Sequence, residues 1–168
     1  PGTGRAADEQ VRGYASLVDI ADHHHDVVAP GAFRQSLRAR GGGQGVRMLW
    51  QHDPSQPIGV WTLLVEDDRG LYVEGRLTPE VARAAEAWAL IRAGALDGLS
   101  IGYNTVRAAA DPDTGVRRLL EIDLWEVSLV TFPACPGAII RRGGAAGNGL
   151  GALIASLERA AHTLAPAA

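Results

Sequence analysis

Ile58-Gly59-Val60-Trp61-Thr62-Leu63-Leu64-Val65, then Glu66-Asp67-Asp68-Arg69-Gly70, then Leu71-Tyr72-Val73-Glu74-Gly75-Arg76-Leu77 reads as strand, turn, strand. β-Branched and aromatic residues crowd both runs, and an acidic, glycine-containing turn joins them. So short a connection pairs its strands antiparallel. Upstream, Val46–His52 reads as another strand, ended by Asp53-Pro54. Before it, Gly41, Gly42, Gly43 and Gly45 mark a flexible connection, and Pro30-Gly31 opens a short helix through about Arg40. Residues 19–29 read as a loop, residues 11–18 as a first strand, and residues 1–10 as a flexible N-terminus.

Downstream, Thr78 is a natural N-cap with Pro79 at the first helical position. Val81, Ala84, Ala85, Trp88 and Ile91 then recur at helical spacing, and Gly94 stops the helix. Leu99–Ala108 returns to strand character. Asp111-Pro112-Asp113-Thr114-Gly115 reads as a hairpin turn, and Val116–Val130 as further strand until Pro133 and Pro136 end the pattern. A Gly/Ala linker follows at 143–149, then a C-terminal helix or tail at 150–168. The domain expected between these ends spans residues 11–142. About six or seven strands with two or three helices, not strictly alternating, argue against a doubly wound parallel sheet. The expectation is a β-rich α+β fold, a small antiparallel β-barrel flanked by helices.

Composition supports one domain. The 168 residues are 46% hydrophobic and 21% charged, which places the chain among globular sequences. All 16 basic residues are arginine and the net charge is −3, so the basic footprint of a nucleic-acid binder is absent. The apolar runs are far shorter than the ~20 residues of a membrane-spanning helix. A single cysteine excludes an intrachain disulfide and a multi-cysteine zinc site, and fits a cytosolic protein.

The side chains able to do chemistry are few. His52, at a strand end in Leu49-Trp50-Gln51-His52-Asp53-Pro54, has the side chain best suited to proton transfer near neutral pH. A surface histidine capped by Asp53 is the plainer reading. Ser100 lies in Asp97-Gly98-Leu99-Ser100-Ile101-Gly102-Tyr103. Alternation puts Leu99, Ile101 and Tyr103 on one face and Ser100, Gly102 and Asn104 on the other. Ser128 competes with it. In Leu124-Trp125-Glu126-Val127-Ser128-Leu129-Val130, Glu126 and Ser128 share a face, and Trp125, Val127 and Leu129 share the opposite one. A carboxylate on so apolar a strand needs a partner. Glu126 therefore orients an imidazole, as the third member of a triad does, or pairs with an arginine. Pattern alone leaves both serines open.

Two other features carry less. Three consecutive histidines, His23, His24 and His25, flanked by Asp22 and Asp26, cannot easily converge on one ion, so neither a metal nor another cofactor is expected. Cys135 could pair with His52 as the nucleophile of a cysteine protease, but nothing cationic or helix-terminal lies beside it in sequence to form a thiolate, and it reads more simply as a small apolar filler.

Several pieces together resemble one family, the prohead (capsid-maturation) serine proteases of tailed bacteriophages and phage-like gene transfer agents. They are Gly13-Tyr14-Ala15-Ser16, Asp26-Val27-Val28-Ala29-Pro30-Gly31-Ala32-Phe33, Met48-Leu49-Trp50-Gln51-His52-Asp53-Pro54 and Pro57-Ile58-Gly59-Val60-Trp61. They continue with Gly70–Leu77, Gly94–Tyr103 and Asp123–Ala134. The family is similar in fold to the herpesvirus assemblin proteases, which implies a helix-flanked β-barrel. By motif, the resemblance implies His52 as general base, Ser100 rather than Ser128 as nucleophile, and Glu126 as the orienting acid. It implies cleavage of the scaffolding segment of the major capsid protein precursor, and of the chain itself, inside an assembling prohead in the host bacterial cytoplasm. Neither nucleic acid nor membrane is an implied partner, and a homo-oligomer is compatible with it. The competing expectation is a non-enzymatic scaffolding or capsid-interaction module. The sequence departs from the family's pattern at Asp22–Asp26, usually smaller and glycine-containing, and at Cys135, where asparagine is frequent.

Overall fold

The computed structural model describes residues 9–112 and 114–141. Residues 1–8 of the expected flexible start, the 143–149 linker and the 150–168 helix or tail lie outside the described residues. In chain order the elements are β1 (Gln10–Leu17), β2 (Asp26–Val28), α1 (Arg34–Ala39), a 3-10 turn (Gly41–Gly43) and β3 (Arg47–Trp50). They continue with β4 (Asp53–Glu66), β5 (Gly70–Leu77), α2 (Ala82–Ala93), β6 (Gly98–Ala110) and β7 (Arg117–Val130). The fold is β-rich α+β, and no helix of the described residues is long and apolar enough to cross a membrane.

One seven-stranded sheet runs in the order β1-β5-β4-β3-β7-β2, with β6 also paired to β7. It differs from a closed antiparallel barrel in two respects. First, it is mixed: β2 and β3 both run parallel to β7, against residues 117–119 and 126–129. Since β6 lies antiparallel along nearly all of β7, the two parallel strands share its other edge in succession. Second, it is open. No ladder joins β1 to β6; a strap of single bridges, Gly13 to Ile140 and Gly98 to Ile139, spans the gap. The strap is tied at both ends, by the amide of Ile140 donating to the Asp97 carbonyl at 2.7 Å and that of Arg141 to the Arg12 carbonyl at 2.8 Å. Gly13 is required there, because a Cβ on it would come within 2.2 Å of the Ile139 carbonyl oxygen.

The expected antiparallel pair β4–β5 forms as read, from Gly59 against Leu77 to Glu66 against Leu71. Its inward side chains, Ile58, Trp61, Leu64, Leu71 and Val73, join one core with Leu99, Leu124, Val127 and Leu129. Helix α2 covers that core with Ala84, Ala87, Trp88 and Ile91, a stripe at the spacing of one helical face. It ends at Gly94, whose left-handed φ of 79° is the conformation glycine supplies without strain. Its start is later than Thr78-Pro79 suggests. Those residues make a separate turn closed by the Val81 amide on the Thr78 carbonyl, and Val81 is the extended N-cap. Trp125 does not stay with Val127 and Leu129: the β6–β7 ladder skips it between the pairs of Gly102 with Glu126 and Tyr103 with Leu124, and it is half exposed.

The stretch read as a loop at 19–29 contains β2, anchored by one buried carboxylate. Asp26 receives two hydrogen bonds from the Arg117 guanidinium, at 2.7 and 2.5 Å, and one from the Tyr103 hydroxyl at 3.1 Å. Arg117 in particular, with help from Tyr103 and against the cost of burial, holds the Asp26 carboxyl below the usual carboxylate range. Stabilisation by this group is therefore present above the ordinary carboxylate pKa and is lost as pH falls through the depressed folded value. Asp26→Asn is expected to cost about 1–3 kcal/mol at pH 7, since Arg117 is half solvated, and less at pH 3. Urea unfolding at both pH values measures the difference; an equal cost at both would remove the ion pair as the cause.

Candidate active site

β3 and β4 are joined by two residues, Gln51 and His52, with Trp50 facing Asp53 across the turn. Both turn residues have positive φ, 51° and 62°, the pattern of a type I′ hairpin turn. Neither is glycine or asparagine, so the turn needs external support. It gets this from β7 and from Thr131 just after it. The Gln51 backbone amide donates to the Leu129 carbonyl at 2.9 Å, the Gln51 side chain exchanges hydrogen bonds with Thr131, and the His52 backbone amide donates to the Ser128 hydroxyl at 3.1 Å. The strand expected to end at Asp53-Pro54 thus ends before them. Asp53 opens β4 and accepts hydrogen bonds from the Ser55 amide and hydroxyl and from the Gln56 side chain.

The His52 ring turns back toward β7. Its Nδ1 lies 2.5 Å from Oε1 of Glu126. The imidazole is partly exposed, at 43%, while the carboxylate is buried, at 11%. An ionised carboxylate can only accept, so the contact fixes the proton on Nδ1 and leaves the lone pair of the neutral ring on Nε2. Of the partners the sequence left open to Glu126, the imidazole is the one it meets. The other carboxylate oxygen, Oε2, receives the Ser128 hydroxyl at 2.7 Å.

Across the ladder, Ser100 faces Ser128 and Gly102 faces Glu126. Directly paired residues lie on one face of a sheet, so Ser100 projects on the side that carries the carboxylate. Ser100 and His52 line the same cleft, of about 480 Å³. Gly102 makes room for the carboxylate: a Cβ there would come within 2.1 Å of Glu126 Oε1. Gly102→Ala should therefore displace Glu126 from His52 and lower turnover on the order of a hundred-fold, the usual cost of about 1 Å of misplacement. A folded Gly102→Ala chain with wild-type turnover would show that the carboxylate position is immaterial.

The cleft collects other residues the sequence singled out. Asp22, His23 and His24 form part of its wall. The Asp22 carboxylate is occupied by the backbone amides of His24 and Asp26, at 2.8 and 2.9 Å. Among the described residues no three His, Cys, Asp or Glu side chains are grouped so as to hold a metal. Cys135 also lines the cleft, but its sulfur accepts from the Leu17 amide, and burial pushes the thiol pKa up, against what a thiolate nucleophile needs. Ser128 is fully buried, and its hydroxyl is engaged on both sides, accepting from the His52 amide and donating to Glu126.

The chain that carries this cleft is similar in sequence and fold to known proteins. The family model described as caudovirus prohead serine protease matches residues 3–147, and the chain belongs to that family. It is 33% identical over 135 residues to the prohead protease of Enterobacteria phage HK97, covering 79% of this chain and 59% of that protein. It is 28% identical over 124 residues to the prohead protease of Escherichia phage T5, covering 74% and 58%. The chain thus spans less than two-thirds of the length of these relatives. The fold is similar to that of the capsid assembly protease of bacteriophage T4, with a TM-score of 0.58 at 13% identity over 72% of this chain and 82% of that one. It is similar also to a KSHV protease solved with a hexapeptide phosphonate inhibitor, with a TM-score of 0.56 at 18% identity over 80% and 64%.

Proposed function

We propose that this chain is a serine endopeptidase that cleaves the scaffolding segment of a major capsid protein precursor, and its own chain, inside an assembling prohead. The observation that carries the reading is the 2.5 Å contact of His52 Nδ1 with Glu126, in a cleft also lined by Ser100, within a chain of the prohead serine protease family. The relatives' names support a capsid protein as the substrate: they include prohead proteases and a capsid polyprotein of Pseudomonas phage PAJU2, 30% identical over 144 residues, with this chain covering 20% of that protein.

In this mechanism Ser100 Oγ attacks the scissile carbonyl carbon while His52 Nε2 takes the hydroxyl proton. The carbonyl π electrons move onto oxygen and give a tetrahedral oxyanion. As that collapses, the C–N bond breaks and His52 hands its proton to the leaving amine, which leaves an ester on Ser100. Water, deprotonated by the same nitrogen, then hydrolyses the ester. Glu126 keeps the imidazole in the productive tautomer and offsets the positive charge the ring acquires in each half-reaction. The order His, Ser, Glu along the chain differs from the orders of chymotrypsin, subtilisin and the α/β-hydrolases.

Incubating the full chain with a fluorophosphonate and mapping the adduct tests the chemistry, and incubating it with a major capsid protein precursor tests the substrate. A phosphonylated Ser100 and a shortened capsid protein are expected. Labelling at Cys135, Ser128 or nowhere would overturn the assignment of the nucleophile.

A further inference from the structure

We infer that Ser128 is a positioning residue that couples the imidazole to its carboxylate, so that one buried hydroxyl sets the geometry of both. The inference rests on the serine protease reading above. Ser128 is fully buried and directly opposite Ser100 on the neighbouring strand. Its hydroxyl donates to Glu126 Oε2 at 2.7 Å and accepts from the backbone amide of His52 at 3.1 Å.

These two bonds do different things. The first occupies the carboxylate oxygen that does not face the imidazole, which selects the rotamer that points Oε1 at Nδ1. The second grips the hairpin tip at the residue that must sit at a φ of 62°. Residues in such backbone regions persist only where their surroundings over-determine them. Gln51 helps through Leu129 and Thr131, but those contacts hold the first turn residue, and among the described residues it is Ser128 that holds the backbone of the second. A hydroxyl is needed because the position must donate on one side and accept on the other. Alanine does neither, and the buried Oε2 then loses its donor.

The alternation of Glu126 and Ser128 on one strand face carried this signal. Read as a competition between two nucleophiles, it concealed that the losing serine has a task of its own.

The test uses the inactivation rate with a fluorophosphonate, resolved into its limiting rate and half-saturating concentration, for wild type, Ser128→Ala, Ser128→Thr and Glu126→Gln. Circular dichroism verifies that each variant is folded. Ser128→Ala is expected to lower the limiting rate on the order of a hundred-fold, as for a displaced catalytic group, with little change in half-saturation. The downfield proton resonance of His52 Nδ1–H should be lost or broadened. Ser128→Thr retains a hydroxyl and should recover most of the rate. If the added methyl group packs poorly, Ser128→Cys, nearer in size but a weak donor, should fall between wild type and alanine. The Ser128→Ala/Glu126→Gln double variant should be no slower than Glu126→Gln alone, since both act through one imidazole. A folded Ser128→Ala chain with a wild-type limiting rate and an intact Nδ1 resonance would overturn the inference while leaving the protease reading standing. A wild-type chain that takes no label at all would remove the protease reading itself.

Discussion

Replacing Ser100 with alanine is expected to abolish labelling by a fluorophosphonate and processing of the capsid protein precursor, with no loss of fold. The change removes one oxygen from a side chain at the cleft wall, 5% exposed. Its stability effect should stay within about 1 kcal/mol, the usual net worth of a single hydrogen bond. The rate effect is of another order. Loss of the nucleophile in a serine protease costs on the order of a million-fold in turnover, because histidine and acid have nothing left to activate. Comparing the melting temperature and the precursor half-life of the same preparation separates the two quantities. Processing by the folded Ser100→Ala chain at even a tenth of the wild-type rate would exclude Ser100 as the nucleophile.

Glu126→Gln is expected to give the second largest loss. Glutamine keeps the shape of the carboxylate but presents an amide to Nδ1 and to the Ser128 hydroxyl, so one of the two oxygens that now accept becomes a donor group. If that donor faces His52, the ring must carry its proton on Nε2, the nitrogen that has to receive one from Ser100. Disrupting the tautomer in the corresponding aspartate variant of a serine triad lowers turnover by about ten-thousand-fold, and a loss of that order is the expected outcome. It should exceed the Gly102→Ala effect, which moves the carboxylate without removing its charge. Single-turnover rates measured beside melting temperatures decide between this role and a purely structural one. Lowered stability with unchanged turnover would take Glu126 out of the chemistry and leave a Ser–His dyad.

The sequence foretold local features of the fold better than long-range ones. The β4–β5 pair and the end of α2 at Gly94 rest on neighbouring residues, and both stand as read. The start of α2 did not, because Thr78-Pro79 satisfies its own turn before the helix begins at Ala82. Asp53-Pro54 looks like a break, yet the chain reverses one step earlier, at Gln51-His52, which carry no turn chemistry of their own. Their positive φ values are imposed by hydrogen bonds from β7, which for His52 come from 76 residues away, and no local propensity can report such a contact. The mixed character of the sheet escaped notice for the same reason. β2 and β3 adopt their direction from β7, and β2, three residues long, is too short to show a pattern. As for the candidate site, residue type, alternation and resemblance singled out His52, Ser100 and Glu126, and the structure brings His52 against Glu126 and puts His52 and Ser100 on one cleft. Gly102 could not, since its meaning is the volume it leaves for a side chain on another strand. Nor could His23 and His24 be placed on the cleft wall, because the loop that carries them lies there through the Asp26–Arg117 pair.

The strap at Ile139–Ile140 bears on when the cleft becomes complete. It joins β1 to β6 by single bridges on either side, and Arg141 ties down the β1 end. A nascent chain emerging at about 5–20 residues per second exposes β1 well before the residues that fasten it. Until residue 141 has cleared the ribosome, the edge of the sheet beside Ser100 is not fastened and the cleft wall formed by residues 132–135 does not exist. Synthesis thus delivers His52, Ser100 and Glu126 first and the enclosure last. A ribosome stalled short of that point would display a chain that has all three of these side chains and no enclosed cleft around them.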